Sequence, residues 1–293
     1  MKVLLLGGDG QLGKCFSINI SKKFRIFAKS KKDVNIIDIN EIRKAVELYE
    51  PDYIINCSAY TDVDRAEIEK EKADIVNFQG PKNIIEAIKN TDVKLIHIST
   101  DYVFNGLKEI KYNEYDQPDP ICYYGLSKLK GEKYIKDYSN NFLIFRVSWL
   151  YSQFNNNYLK TMIKLAQKFD NLSIVGDQIS IPNNANELAS FIIESIYKNK
   201  INDENINDIY HFSPLINPIS KFDFSEKIFS ILNKKGIKTP VLEKVDSNSF
   251  NSNAKRPSFS ALDGQLLSKR FNYKYSNWII SLDQTIKNII NDL

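Results

Sequence analysis

The sequence has few of the residues that build metal sites and disulfide frameworks. It contains three cysteines and two histidines in 293 residues. Cys15, Cys57 and Cys122 are widely scattered and lack Cys-x-x-Cys spacing, so we interpret them as buried thiols in a reducing compartment. His97 and His211 are too far apart to indicate a preformed zinc site, and the apolar run around His97 is typical of a core. No metal site is therefore predicted.

Long apolar runs and a strong charge excess are also missing. The longest runs fall well short of the roughly 20 apolar residues that a membrane-spanning helix needs. The stretch at residues 3–6 turns into glycines too early for a signal peptide. We therefore expect a cytoplasmic protein without a membrane partner. The net charge of +4 is spread over lysine doublets such as Lys31-Lys32, which favours solvated faces over a nucleic-acid surface.

Apolar runs alternate with amphipathic stretches through the first half of the chain. The strand-like runs lie at Phe24–Ala28, Tyr53–Cys57, Val93–Ser99 and Phe142–Val147, and the helical patterns at Asn40–Tyr49, Pro81–Lys89 and Tyr123–Tyr138. This alternation predicts an α/β fold, a doubly wound parallel sheet of Rossmann type covered by helices on both faces. Ligands of such sheets bind at the carboxyl ends of the strands.

The second half has a looser order from about Trp149 onward. Polar stretches such as Asn202–Asn207 separate helical patterns at Tyr158–Lys168, Glu187–Lys198 and Lys221–Lys234. We expect a smaller α+β lobe laid across the first domain. The predicted division is a dinucleotide-binding domain at 1–150, together with part of 170–200, and a mainly substrate-binding lobe at 151–293.

A glycine-rich turn follows the first apolar run at once. Residues 2–6 read Lys-Val-Leu-Leu-Leu, and Gly7, Gly10 and Gly13 follow in GxxGxxG spacing. Strand, glycine turn and helix start, in that order, are what a dinucleotide pyrophosphate needs, because glycines let the backbone approach and the helix N-terminus presents free N–H groups. The pattern predicts a nucleotide site.

Tyr124 and Lys128 form a YxxxK pair that a helix would place on one face. A tyrosine titrates near 10, and making it a usable acid near neutrality takes about 4 kcal/mol. One positive charge about 4 Å away supplies roughly that much at a surface-like dielectric. The spacing also fits a solvated helix face, but the glycine turn favours a proton donor. Thr100, at the end of a strand-like run, would complete a triad that fixes a carbonyl group.

These motifs belong to a longer series. The series comprises Gly7–Gly13, Asn56–Asp64 with Ala66-Glu67, Asn77 with Gly80-Pro81, Ser99–Phe104, Tyr124–Lys128 with Gly131-Glu132-Lys133, Phe145–Tyr151, Asp177-Gln178, and Arg256-Pro257 with Ser260 and Leu262. Through it the chain resembles the extended short-chain dehydrogenase/reductases and, among them, the dTDP-4-dehydrorhamnose reductase family, along nearly its whole length.

The resemblance implies roles for individual residues. Thr100, Tyr124 and Lys128 would be catalytic, with Tyr124 as proton donor and Lys128 both binding the nicotinamide ribose and lowering the tyrosine pKa. The implied cofactor-binding residues are Gly7, Gly10, Gln11, Leu12, Gly13, Asp38, Ile39, Ala59, Tyr60, Thr61, Tyr124 and Lys128. The implied substrate-binding residues are Thr100, Asp101, Tyr102, Trp149 and Arg256. For Asp64 and Glu67 we expect a helix N-terminal role rather than catalysis.

The end of the second strand indicates the cofactor. NAD-dependent enzymes place an acid there, whereas a 2′-phosphate needs positive charge. After Ala28 the chain reads Lys29-Ser30-Lys31-Lys32, with no acid before Asp33. We therefore expect Ser30 and its lysines to hold the 2′-phosphate of NADPH, with NADH as a second cofactor that the family often tolerates.

The expected reaction is NAD(P)H-dependent reduction of the 4-keto group of dTDP-4-dehydro-L-rhamnose to dTDP-L-rhamnose, for surface polysaccharides such as O-antigen. Alternatives are reduction of another nucleotide-linked 4-keto sugar and a non-catalytic NADP-binding regulatory subunit. A 4,6-dehydratase is disfavoured because Tyr102, not Glu, follows Asp101. The chain would be a monomer or a homodimer. Family dimers can contain Mg²⁺, but Lys14–Phe16 and Asn186 do not support a metal bridge here.

Overall fold

Six parallel strands form a central sheet in the computed structural model, which describes residues 1–18, 25–198, 200–201 and 208–291. The strands in chain order are β1 (Lys2–Leu6), β2 (Arg25–Lys29), β3 (Tyr53–Asn56), β4 (Lys94–Thr100), β5 (Phe142–Val147), β6 (Leu150–Tyr151), β7 (Asn171–Val175), β8 (Ile179–Ser180), β9 (Asn183–Asn184), β10 (Asp208–His211), β11 (Ile219–Ser220) and β12 (Val241–Val245). The sheet order is β10-β5-β4-β3-β1-β2, with every pair parallel. The predicted Rossmann-type sheet is thus confirmed.

Helices cover both faces of this sheet. The helices in chain order are α1 (Gln11–Ile18), α2 (Ile39–Tyr49), α3 (Val63–Ala66), α4 (Lys70–Asp74), α5 (Gly80–Ile88), α6 (Tyr123–Tyr138), α7 (Tyr158–Ala166), α8 (Ala185–Tyr197), α9 (Lys221–Lys234), α10 (Gln265–Phe271) and α11 (Trp278–Asn291), of which α7, α9 and α11 pack away from the sheet. Successive strand residues point to opposite faces. In β1, Val3 and Leu5 pack in one core with α1 and α8, whereas Leu4 and Leu6 pack in another with α2, α5 and α6.

The sheet order changes direction at β1, which has β2 on one side and β3 on the other. Such a switch point opens a crevice at the carboxyl ends of the strands. The turns after β1, β3 and β4 end there, so the glycine motif, the segment after Asn56 and the segment after Thr100 meet at one edge of the sheet. The fold therefore gathers the predicted site residues of the first half.

The remaining strands and helices build the smaller lobe. There β7 pairs with β12 in parallel, β8 with β11 antiparallel, and β6 with β9 in parallel. Buried residues of α7, α9 and α11 form the core of this lobe. The main sheet also takes β10 from the second half of the chain, and α8 packs on α1. Among the described helices, none combines the length and apolarity needed to cross a bilayer.

Most predicted elements are found close to their predicted bounds. The predictions for α6 and α9 and for β5 match at both ends. The second predicted strand begins at Phe24, which lies outside the described residues. The polar stretch Asn202–Asn207 also lies outside them. The pairing of β7 with β12 and the helices α10 and α11 were not predicted from the sequence.

Candidate active site

The turn after β1 requires glycine at two of its positions. Gly7 has a φ of +76°, and a Cβ there would lie 2.8 Å from the Ser58 backbone nitrogen. A Cβ on Gly13 would lie 2.2 Å from the Gly7 carbonyl oxygen. The turn is therefore as tight as a close backbone approach to a ligand demands. Because α1 begins at Gln11, its free first-turn N–H groups lie beside this turn and suit a pyrophosphate.

A cavity of about 320 Å³ opens beside the glycine turn. Four of the predicted cofactor residues line it: Gly7, Gly10, Ala59 and Tyr60. Its other walls come from the segment that precedes α2, including Ile36 and Ile37, and from Cys57 and Ser58 after β3. The absence of side chains at the turn and the mostly apolar walls fit the adenosine and pyrophosphate parts of a dinucleotide.

The other predicted cofactor residues of this region lie around the cavity. Leu12 is buried in the core, and the Gln11 side chain donates from Nε2 to the Leu150 carbonyl at 3.1 Å. If these two residues bind the pyrophosphate, they do so through their backbone N–H groups, because their side chains are engaged elsewhere. Asp38 is the N-cap of α2, Ile39 is its first residue, and Thr61 is exposed.

The turn after β2 differs from the sequence-based expectation. The Ser30 backbone N–H and hydroxyl both donate to Asp33 Oδ2, at 2.8 and 2.7 Å. These hydrogen bonds lower the pKa of Asp33. An acid therefore lies at this turn, and the assignment of Ser30 and its lysines to the 2′-phosphate stays a prediction. The turn folds Asp33 back onto Ser30, so the hydroxyl that was expected to hold a phosphate already binds an acid.

The predicted proton donor, Tyr124, lies in the first turn of α6. Burial raises the pKa of Tyr124, and its hydrogen bond with the Thr100 hydroxyl opposes that rise. The expected lowering of this pKa by Lys128 stays a prediction. An elevated pKa favours the protonated phenol, which is the form that a proton donor needs. Thr100 in turn accepts from the Tyr102 N–H at 3.2 Å, which fixes its hydroxyl at the end of β4.

Lys128 is buried and anchored by groups that the sequence did not indicate. Its Nζ donates to the Ile98 carbonyl at 2.7 Å and lies 3.3 Å from His97 Nε2. His97 Nδ1 lies 3.1 Å from Asn56 Nδ2, so a buried polar chain leads from β3 through β4 to α6. Burial lowers the pKa of Lys128 to about 8 and keeps that of His97 well below its usual value. His97 is a core residue as expected, but it also positions Lys128.

An irregular helical segment connects the loop after β3 to α6. Residues Ile75–Gln79 form a π-helical turn between α4 and α5, a feature often found at functional sites. The turn presents the side chain of Asn77, which accepts from the Tyr60 N–H at 2.8 Å. Asn77 Nδ2 donates to the Tyr60 carbonyl at 3.0 Å and to Ser127 Oγ at 2.9 Å. Asn77 therefore holds the predicted cofactor loop and the helix of Tyr124 in a fixed relative position.

The substrate side of Thr100 is built from buried polar groups. Asp101 is buried and accepts from the Thr100 hydroxyl at 3.1 Å and from the Ser260 hydroxyl at 2.5 Å. Burial raises the pKa of Asp101 to about 6. The ring of Tyr102 meets that of Tyr124 edge to face at 5.7 Å. Asp101 thus orients Thr100, while Tyr102 packs directly against the proton donor.

Two further predicted substrate residues lie on the smaller lobe and its C-terminal segment. Trp149 has a φ of +39° and stacks on Phe224 with the ring centroids 6.3 Å apart. One face of its ring therefore belongs to the lobe core. Arg256 pairs with Asp64 at 2.5 Å and lines, together with it, a cavity of about 830 Å³ between the two lobes. The pairing lowers the pKa of Asp64 to about 2.

Comparisons with known proteins agree with this geometry. The family model described as RmlD substrate binding domain matches residues 1–291. The dTDP-4-dehydrorhamnose reductase of Aggregatibacter actinomycetemcomitans is 32% identical, with 98% of each chain covered. A Bacillus anthracis dTDP-4-dehydrorhamnose reductase, solved in complex with NADP, is 33% identical with a TM-score of 0.89, covering 98% of this chain and 99% of that one. The chain belongs to the dTDP-4-dehydrorhamnose reductase family.

Membership of this reductase family makes the chain an oxidoreductase of the short-chain dehydrogenase/reductase type, as predicted. The spore coat polysaccharide biosynthesis protein SpsK of Bacillus subtilis is 33% identical, over 89% of this chain and 88% of that protein. The Thermus thermophilus UDP-glucose 4-epimerase structure, 14% identical with a TM-score of 0.80 over the full length of both chains, shares the fold alone.

The stretch from Ser180 to Asn183 is held by buried hydrogen bonds. Ser180 Oγ lies 3.1 Å from Ser260 Oγ, and Asn183 Nδ2 donates to the Ser148 carbonyl at 2.9 Å. Asn186 binds Gln153, and Lys14 binds Asn155. Across the described ranges, no three His, Cys, Asp or Glu side chains cluster as a metal site would require.

Proposed function

We propose that this chain reduces the 4-keto group of dTDP-4-dehydro-L-rhamnose to give dTDP-L-rhamnose, with NADPH as reductant. The product would serve surface polysaccharide synthesis, in line with the name of the Bacillus subtilis relative. The observation that carries the proposal is the position of Tyr124 in the first turn of α6, where its side chain is hydrogen-bonded to Thr100 at the carboxyl end of β4. This is the same edge of the sheet as the glycine turn.

Each residue of the proposed site has a separate role in the reaction. NADPH, when bound, supplies the hydride that goes to the carbonyl carbon. When the ketone binds, the Thr100 hydroxyl would turn from Asp101 Oδ1 and donate to the ketone oxygen, and Tyr124 would transfer its proton to that oxygen, which becomes the 4-hydroxyl group. Lys128, fixed by Ile98 and His97, binds the nicotinamide ribose. A proton from solvent then restores the tyrosine.

The cofactor site fits NADP(H) in shape and in hydrogen bonding. The glycine turn leaves no room for Cβ atoms, and the adjoining helix start offers N–H groups to the pyrophosphate. The homologous Bacillus anthracis reductase was solved with NADP. Lys29 and Lys31 flank Ser30 at the turn after β2 and supply the positive charge for a 2′-phosphate.

The test is NADPH oxidation with dTDP-4-dehydro-L-rhamnose, with the product identified by NMR. We expect turnover and a product with a new 4-hydroxyl group. A panel of other dTDP- and UDP-linked 4-keto sugars distinguishes the alternative reductases, since the preferred substrate has the highest kcat/KM. Tight NADPH binding without turnover on any of them would contradict the proposal and favour a non-catalytic subunit.

A further inference from the structure

A cation lies on the wall of the cavity between the lobes. Lys221, the first residue of α9, lines the cavity of about 830 Å³ that Arg256 also lines. Its Nζ lies 5.9 Å from the ring centroid of Trp149 and 5.7 Å from that of Tyr158. Two aromatic rings of the smaller lobe therefore keep the ammonium at the cavity wall.

Within the described ranges, Lys221 is in none of the ion pairs closer than 4.0 Å. Arg256, on the same cavity, is neutralised by Asp64 at 2.5 Å. Asp101, whose charge also acts on Lys221, accepts a hydrogen bond from Ser260. Three cations in the described part of the chain thus line the cavity: Arg256 is paired with Asp64, Lys255 is exposed to solvent, and Lys221 is partly buried with no carboxylate within 4.0 Å.

The position of Lys221 is unfavourable for a positive charge in the free protein. The N-terminus of a helix carries a partial positive charge, and Lys221 is the N-terminal residue of α9. Burial and the like charge of Arg256 lower the pKa of Lys221 to about 8. An anion in the cavity would supply the opposite charge that Lys221 lacks and would replace the water that burial removes.

We propose that Lys221 binds the diphosphate of the nucleotide-sugar substrate and thereby makes the enzyme selective for nucleoside diphosphates. This inference rests on the proposed function, because it places the substrate nucleotide in the inter-lobe cavity. Arg256, already paired with Asp64, fixes the C-terminal segment that closes one side of that cavity. The diphosphate meets the Lys221 ammonium rather than the backbone at the start of α9, because Ser220 and Asp223 already cap that helix end.

The experiment measures binding alone, by calorimetry with dTDP, UDP and inorganic pyrophosphate in the absence of NADPH and of any keto sugar. Lys221→Met and Lys221→Gln should raise the Kd of dTDP at least about tenfold, the effect of losing one charge-assisted hydrogen bond. Lys221→Arg should stay within about threefold. Lys255→Met is the matched control, because Lys255 lines the same cavity but is exposed, and it should change the Kd less than about twofold.

The melting temperature and the NADPH Kd of each variant are measured first, to show that the variant is folded. An unchanged dTDP Kd in both neutral variants would overturn the inference, as would a wild-type protein that binds none of the three probes. An equal loss in Lys255→Met would also overturn it, because net charge alone would then explain binding. Lys221-dependent dTDP binding without reduction of any 4-keto sugar would contradict the proposed function and leave this inference standing.

Discussion

At the scale of single residues, the proton donor and its lysine have separate supports. Tyr124 is kept protonated by burial and is oriented by Thr100, whereas Lys128 is tied to the Ile98 carbonyl and to His97. Removing one of these side chains therefore leaves the surroundings of the other in place. Variants at the two positions should accordingly differ in which step they impair.

Tyr124→Phe should lower kcat by about 10²–10⁴-fold, because the change removes the transferable proton and little else. The Kd of NADPH, measured by fluorescence titration, should stay within about twofold of wild type. A variant that retains more than about a third of wild-type kcat would contradict the assignment of Tyr124 as general acid.

Lys128→Met provides the comparison for Tyr124→Phe. It should lower kcat and also raise the Kd of NADPH, because the proposed role of the ammonium is to bind the nicotinamide ribose beside the reaction centre. If Lys128→Met left cofactor affinity unchanged, the role of Lys128 would be confined to the fold of the buried chain that includes His97 and Asn56.

Asp33→Asn should increase the preference for NADPH over NADH. The Asp33 carboxylate accepts from Ser30 at 2.7 Å and so places a negative charge at the turn expected to bind the 2′-phosphate. Removing this charge should raise the ratio of kcat/KM for NADPH to that for NADH roughly threefold, because a carboxylate repels the phosphate. Asp52→Asn, remote from the cofactor turn, is the control; an unchanged ratio in Asp33→Asn would show that the phosphate lies elsewhere.

At the scale of elements, α6 is supported at its N-terminus by two side chains. Cys122 is the N-cap, and its sulfur accepts from the Gly125 N–H at 3.5 Å. Glu67 accepts from the Tyr123 N–H at 2.7 Å, which confirms the expected helix N-terminal role for this acid. Both contacts lie within one turn of Tyr124, so the cap also fixes the position of the predicted proton donor.

Cys122→Ser should stabilise the protein slightly at pH 7, because serine is a far better N-cap, whereas Cys122→Ala should cost about 1 kcal/mol. Burial raises the pKa of Cys122 to about 11, while an unfolded thiol titrates near 8.5. The unfolded state therefore loses its proton first, and stability is lost as pH rises from about 8.5 to about 11.

Denaturant titrations at several pH values check this sign. The free energy of unfolding of wild type minus that of Cys122→Ser should fall by up to about 1.4 kcal/mol per pH unit across the interval from 9 to 11. A difference that does not change with pH would mean that the thiol ionises equally in both states.

How far the sequence predicted this structure depends on how local the signal is. The bounds of α6 follow from its periodicity and those of β5 from its apolar run, and both are confirmed. The pairing of β7 with β12 was not predicted because the two short strands lie far apart in the chain and are only partly buried, so neither run indicates its partner. His97 and Lys221 were not predicted as site residues for a related reason. A histidine in an apolar run and a lysine in the first turn of a helix are common, and only tertiary contacts distinguish them.

At the scale of the whole molecule, the segment 246–256 is fastened to both parts of the protein. Asp177, in the smaller lobe, accepts from the Ser247 N–H at 3.0 Å and from its hydroxyl at 2.8 Å. Asp64, beside the main sheet, accepts from the Ser252 hydroxyl at 2.7 Å and from Arg256. One carboxylate at each end thus keeps the segment along the inter-lobe cavity.

Asp177→Asn should release one end of this segment, because an amide oxygen is a weaker acceptor than a carboxylate. We expect limited proteolysis within 247–254 to become at least about threefold faster, with the melting temperature nearly unchanged, since local opening needs little of the global free energy. Asp170→Asn removes an exposed ion pair with Lys238 and is the control. Equal cleavage rates in all three proteins would show that the segment is held by other contacts.

The late position of β10 in the chain has a consequence for biosynthesis. β5 is buried along its whole length and is an outer strand of the sheet until β10 pairs with it. About 60 residues separate the end of β5 from β10. At ribosomal rates of about 5–20 residues per second, a nascent chain would expose this apolar edge for roughly 3–12 s. Chaperones that bind unpaired strands would have that interval in which to act, and aggregation on overexpression would begin at this edge.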